Sequence, residues 1–277
     1  MSEIIILMAF LAFVVFLIAG SKKKYAAIIG WTLIVINLLI EVPGYLTMDN
    51  FLYPAIAVLS VPFLAITLRE LLAGSPLVMQ LSNAAAVGTL IYVPFTFIPL
   101  FRDALISGVV QQVIWLLQVF NSDAQLAGWN IIMRNGFSIE IILACTGITA
   151  MAIMLGVTAG SKKLSLNQGL LAVLVIVPTI YLLNILRVVV VLIAWSDQWF
   201  AFLPDPTGTA EYGYTSFFWA HNVFAEVLSL GVLIVITLSL FRIVPGLADF
   251  ARDLVNLYLD EARAVIRYKR DRRSDPE

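Results

Sequence analysis

Cysteine and histidine are nearly absent from this chain; each occurs once, as Cys145 and His221. A single cysteine excludes an internal disulfide, so the sequence carries no record of a redox compartment. One cysteine and one histidine are also too few nitrogen and sulfur ligands for a typical zinc site, and no metal is expected. No Gly-rich phosphate loop occurs, so no nucleotide cofactor is implied. Charge is scarce as well. Asp, Glu, Lys and Arg make up 13% of the residues, against about a quarter in an average soluble domain. The net charge of −1 says nothing for nucleic acid, because the charges gather at the ends of apolar runs. Internal repeats are absent too, which weighs against a transporter built from paired halves.

What the chain has in abundance is hydrocarbon. Hydrophobic residues are 61% of it and its mean hydropathy is +0.96. Several apolar runs reach the roughly 20 residues a helix needs to cross a bilayer. The fold class is therefore all-α, a polytopic transmembrane bundle of about seven spans. The expected spans are Ile4–Ala19, Tyr25–Ile40, Phe51–Leu68, Asn83–Phe101, Phe137–Ala159, Gly169–Ala194 and Phe217–Phe241. The first run reads as a retained span, because Lys22, Lys23 and Lys24 follow its apolar stretch where a signal peptide carries them before it.

Lys22–Lys24, Arg69, Lys162–Lys163 and the tail after Arg242 alternate in parity with Glu41–Asn50, Arg102–Asn135 and Ser196–Ser216. The Lys- and Arg-rich group should be cytoplasmic, with the N-terminus outside, the C-terminus inside and the Lys-free Ser196–Ser216 loop outside. Ala104–Phe120 is expected to lie in the interface. Its apolar positions, among them Leu105, Val109, Val113 and Leu117, follow helical spacing while Ser107, Gly108, Gln111 and Gln112 take the other side. Residues 1–245 are then the membrane domain, and 246–277 form a basic amphipathic tail. Leu247, Phe250, Leu254, Tyr258, Ala262 and Val265 share one face of that tail. Its Arg252, Arg263, Arg267 and Lys269–Arg273 suit an anionic cytoplasmic leaflet. The loop Trp195–Trp219 reads as an outer aromatic belt with a turn at Pro204-Asp-Pro206.

Three polar residues stand inside apolar sequence, where charged groups are rare and usually functional. Cys145 lies in Ile141–Thr149, Arg187 in Asn184–Val191 and His221 in Phe217–Phe224. On the expected helices they lie roughly 12, 10 and 6 Å from the outer ends, at 1.5 Å per residue. Singly, each has an ordinary reading: a small buried hydrophobe, a snorkelling cation and a packing hydrogen bonder. Agreement in depth favours a site. A thiolate is the nucleophilic form of cysteine, and His221 is placed to accept the thiol proton. Arg187 would either favour the thiolate or stabilise an oxyanion after attack on a carbonyl. Asn184, one turn before Arg187, could orient the guanidinium. Asn222, Glu226 and Glu140 are further supporting residues, with Glu140 expected to pair with Arg187 or Arg134.

The segments Ala144-Cys-Thr-Gly-Ile148, Asn184-Ile-Leu-Arg187 and Ala220-His-Asn222, on successive apolar runs, resemble the exosortase/archaeosortase family. Their Cys-Thr-Gly-Ile form is most similar to the archaeosortase A type. The likeness is specific over Asn135–Phe241 and general before it. It implies an invariant Cys and Arg with a third, variable polar residue, roles that fall on Cys145, Arg187 and His221. The implied activity is that of a plasma-membrane cysteine transpeptidase without cofactor or metal. Implied partners are secreted surface proteins ending in a tripartite signal: a Pro-Gly-Phe motif, a transmembrane helix and a basic cluster. Cleavage through a thioester would be followed by transfer to a membrane lipid headgroup. Two other readings stand beside it. One is an intramembrane-type cysteine protease that releases its product by hydrolysis. The other is a small transporter or scaffold holding Arg187 and Glu226 as a buried pair.

Overall fold

The computed structural model describes residues 2–20, 22–47, 52–120, 122–161, 164–205, 208 and 212–274. Lys162, Lys163 and Pro206 lie outside the described residues, as do the side chains of Val265, Arg267 and Lys269–Arg273. The helices are α1 (Ser2–Ile18), α2 (Lys23–Thr47), α3 (Leu52–Ala73), α4 (Pro76–Phe97), α5 (Pro99–Val119), α6 (Ile148–Ala159), α7 (Leu166–Ser196), α8 (Tyr214–Phe217), α9 (Ala225–Ile243) and α10 (Pro245–Ser274). Between α5 and α6 lie three short strands, β1 (Gln125–Leu126), β2 (Ile131–Arg134) and β3 (Phe137–Glu140), and a 3-10 turn, Leu143–Thr146. Among the described residues, six helices are long and apolar enough to cross a membrane, and α1 and α6 are shorter apolar helices. The architecture is the polytopic helical bundle that composition demands.

The chain divides into two compact units. One holds Met1–Thr89, Gly156–Gln168 and Leu240–Glu277; the other holds Leu90–Leu155 and Gly169–Ser239. The core of the first gathers Phe13, Phe16, Ala27, Leu71, Val78 and Ala86. Trp31 ties it together. Its ring meets Phe13 and Phe63 edge-on at 5.8 and 5.4 Å, and its indole N–H donates to Ser82 Oγ at 3.0 Å. Within this unit α10 lays its apolar stripe on protein. Leu247 and Phe250 are buried, and Tyr258 stacks on Phe63 at 5.0 Å. Tyr258 Oη also shares a 2.6 Å hydrogen bond with Thr67 Oγ1, and Glu261 pairs with Arg69. The tail is amphipathic as expected, but this part of its apolar face is covered by α3.

The core of the second unit is the seam between α5 and α7, where Val109, Val113 and Leu117 meet Ile185, Val189 and Leu192. The two helices run parallel. Gln112 donates to Tyr181 Oη at 3.0 Å near their middles, and Arg134 bridges Ser122, just past α5, to Ser196 and Asp197 at the end of α7. The helical spacing over Ala104–Phe120 is therefore real, but its apolar stripe is buried against α7. The helix also starts five residues earlier, at Pro99, where a proline costs no amide bond in the first turn. With that extension it is among the helices long and apolar enough, by length and composition, to cross a membrane.

A larger correction falls on Phe137–Ala159. No single helix covers it: Phe137–Glu140 is a strand, Leu143–Thr146 a 3-10 turn, and only Ile148–Ala159 is α-helical. A short apolar run bounded by turn residues does not distinguish strand from helix. The deciding signal was Asn135-Gly136, whose φ values of 51° and 83° form the tight link between β2 and β3. Asn-Gly between two apolar runs is the strongest local sign of a hairpin. The sheet is antiparallel, in the order β1-β2-β3, with Ile132 opposite Ile139 and Ile131 opposite Glu140.

Candidate active site

Cys145 occupies the third position of the 3-10 turn that links β3 to α6. Its depth follows from tertiary contacts and not from helical rise, because the expected helix before it is a strand. Thr146 closes the turn by donating from Oγ1 to the Leu143 carbonyl at 2.7 Å. Gly147 follows at φ 77°, a left-handed conformation that costs an L-residue about 1–2 kcal/mol. A Cβ there would also press on Ile180 Cγ2 at 3.2 Å. This turn is locked onto α7 by buried Asn184, whose Nδ2 donates to the Cys145 carbonyl. Asn184 thus holds the cysteine backbone, where the sequence had suggested it would orient Arg187.

Arg187 lies three residues further along α7 and is half-buried. Among the described residues it makes no ion pair and no hydrogen bond, which leaves its donors open to whatever enters beside it. Glu140, expected to pair with Arg187 or Arg134, instead accepts from Asn130 Nδ2 at 3.1 Å. The same amide donates to the Ile141 carbonyl, also at 3.1 Å. Arg134 is engaged by Asp197 at 2.5 Å. Neither Glu140 pairing is present among the described residues, although Glu140 lines the same cavity as Arg187.

His221 sits in a widened, π-helical stretch, Phe218–Phe224, closed by the Ala225 amide donating to the Ala220 carbonyl. Such bulges recur at functional sites. The small residues Ala220 and Ala225 pack against Val191 and Ala194 of α7, which lets the two backbones approach. The imidazole stacks on Phe217 at 5.1 Å and 11°. Its Nδ1 lies 2.7 Å from Asn222 Oδ1. With Asn222 Oδ1 as the acceptor, Nδ1 carries the proton and Nε2 is the basic nitrogen of the neutral ring. The Arg187 guanidinium is near enough to act on His221 electrostatically.

Cys145, Arg187 and His221 line one cavity of about 280 Å³, together with Glu140, Trp195 and Phe217. No hydrogen bond joins the three directly among the described residues. Asn184 and Asn222 back the cavity through Cys145 and His221, while Glu226, half-buried on α9, is not among its lining residues. Sequence reasoning named Glu140 but missed Trp195 and the rest of the Ser138–Ile142 stretch as lining. The Asn-Gly hairpin signal pointed to the latter, whereas Trp195 was read only as part of an aromatic belt. The arrangement offers a nucleophile, a cation without a counter-ion among the described residues and a base facing one space, which suits addition to a carbonyl.

The family described as transmembrane exosortase matches residues 2–224 of the chain. Archaeosortase A of Natronomonas pharaonis is 29% identical over 203 residues, covering 67% of this chain and 64% of the relative. Archaeosortase A of Haloferax volcanii is 26% identical over 205 residues, covering 66% of this chain and 67% of the relative. The chain thus spans about two thirds of the length of these curated relatives. No solved structure matches. A family match over most of the sequence, on a multispanning helical bundle whose cavity gathers the single Cys, an Arg and the single His, means that the chain belongs to the transmembrane exosortase family.

Proposed function

We propose that the chain is a membrane-embedded cysteine transpeptidase. Its substrates are secreted surface proteins with a C-terminal signal made of a Pro-Gly-Phe motif, a transmembrane helix and a basic cluster. The observation that carries this reading is the one cavity shared by Cys145, Arg187 and His221. Cys145 Sγ passes its proton to His221 Nε2 and adds to the scissile carbonyl carbon. Arg187 faces the charge that develops on the carbonyl oxygen. The C–N bond then breaks as His221 Nε2 returns the proton to the departing amine, leaving a thioester on Cys145. A lipid headgroup nucleophile attacks the thioester carbon, and the thiol leaves with its proton restored. The protein is then lipid-anchored.

In this reading residues 1–245 carry the membrane chemistry and 246–277 form a cytoplasmic tail. The N-terminus is outside and the cavity opens near the outer leaflet of the plasma membrane. Support comes from the shared end of α5 and α7, where Arg134 joins the hairpin to the Lys-free loop after Ser196. Lys22–Lys24 and the tail after Arg242 mark the cytoplasmic side.

The test is substrate processing in cells with Cys145→Ser, which is expected to abolish it. Mass spectrometry of the wild-type product should show a lipid adduct at the new C-terminus. A free carboxylate there would replace transpeptidation by hydrolysis, and processing that survived Cys145→Ser would remove the enzymatic reading altogether.

A further inference from the structure

The wall of the cavity beside Cys145 is a strand edge. Ser138, Ile139, Glu140, Ile141 and Ile142 all line it, three residues short of the thiol. β2 is the central strand and β3 an outer one, and no strand of the described residues pairs with the far side of β3. The ladder fixes which backbone groups are spent. The Ile141 amide donates to the Asn130 carbonyl at 2.8 Å, so in an antiparallel pair Ile139 and Phe137 also turn toward β2. The amides and carbonyls of Ser138 and Glu140 therefore point to the open side. A second unmet group belongs to the same cavity. Trp195 lines it, and its buried indole N–H has no acceptor among the described residues. A buried donor left unmade is costly, and a peptide carbonyl would satisfy it.

We infer that the substrate binds as a fourth strand on β3, its extended backbone pairing with Ser138 and Glu140 and one carbonyl accepting from Trp195 Nε1. This rests on the transpeptidase reading and supplies the binding mode for it. The occupant is the stretch of the substrate that precedes its membrane helix. Residues inside a helix already bond their own backbone and have nothing to offer a strand edge. A strand laid on β3 runs toward Cys145, so main-chain bonds set the scissile carbonyl at the thiol and tolerate varied side chains in the preceding residues.

The test measures binding separately from chemistry. The full chain with Cys145→Ala is titrated in detergent with a synthetic peptide holding Pro-Gly-Phe and its preceding residues ahead of an apolar helix. The peptide is N-methylated at one preceding residue at a time. Affinity should fall roughly 5- to 10-fold at alternate positions, the loss of one hydrogen bond each, and hold at the positions between. Ser138→Pro, which removes an amide that β2 does not use, should weaken the unmodified peptide by a similar factor at unchanged melting temperature. Trp195→Phe should do the same while keeping the ring. Uniform losses along the peptide, no losses or no binding would overturn strand addition. If the alternation appears but wild-type protein forms no thioester with the same peptide, the transpeptidase reading fails and the binding mode stands.

Discussion

Asn184 and Arg187 are three residues apart on one helix and do different work. Asn184 is buried and spends its amide on the Cys145 carbonyl, whereas Arg187 opens to the cavity without a partner among the described residues. Asn184→Leu keeps the volume and loses the donor, leaving a buried carbonyl unsatisfied at a cost of about 1–3 kcal/mol. The expected result is a fall in kcat with little change in KM, measured on any processed peptide. An unchanged kcat would mean that the turn holds Cys145 without help. Arg187→Lys keeps the charge and loses the planar fork. Its kcat should fall by at least 10-fold and up to the order of 10²-fold that follows removal of an oxyanion donor. Near-full activity would reduce Arg187 to a point charge.

Among the elements, the hairpin before Cys145 was the one misread. Phe137–Glu140 was joined to the apolar run that follows it, where neighbouring Ile and Leu gave no contrast between period two and period 3.6. Only Asn135-Gly136 spoke for a hairpin, and it lay just ahead of the expected span, outside it. The hairpin is held in place by Arg134, 14% exposed, between Ser122, Ser196 and Asp197. Arg134→Gln should lower the melting temperature, with the Asp197 carboxylate losing its counter-charge. Coupling between Arg134→Gln and Asp197→Asn is expected at about 0.5–3 kcal/mol in a double-mutant cycle. Additive losses would show that Ser122 and Ser196 are the true anchors.

At the scale of the molecule, α10 is a docked element and not a free tail. Burial pushes the Tyr258 phenol above its ordinary range; the bond with Thr67 opposes this and Glu70 adds to the rise. A raised pKa in the folded state means that the docked phenol must stay protonated. Its contribution is therefore complete below about pH 10, the unfolded value, and lost as pH climbs through the higher folded one. The melting temperature of the wild type should drop between pH 9.5 and 11 by more than that of Tyr258→Phe, to the extent of about one titrating group. Equal drops would separate Tyr258 from docking.

The sequence by itself determined the solvent and the cast. Composition placed the chain in a bilayer, because so few charges cannot cover a soluble surface. Scarcity singled out Cys145 and His221, because buried polar groups in hydrocarbon are costly enough to need a reason. Only the tertiary structure decided what touches what. Whether an apolar stripe faces lipid or another helix depends on a partner that local periodicity does not name, as in α5 against α7 and α10 against α3. Likewise the Cys145 turn owes its place to Asn184, a contact between segments far apart in the chain.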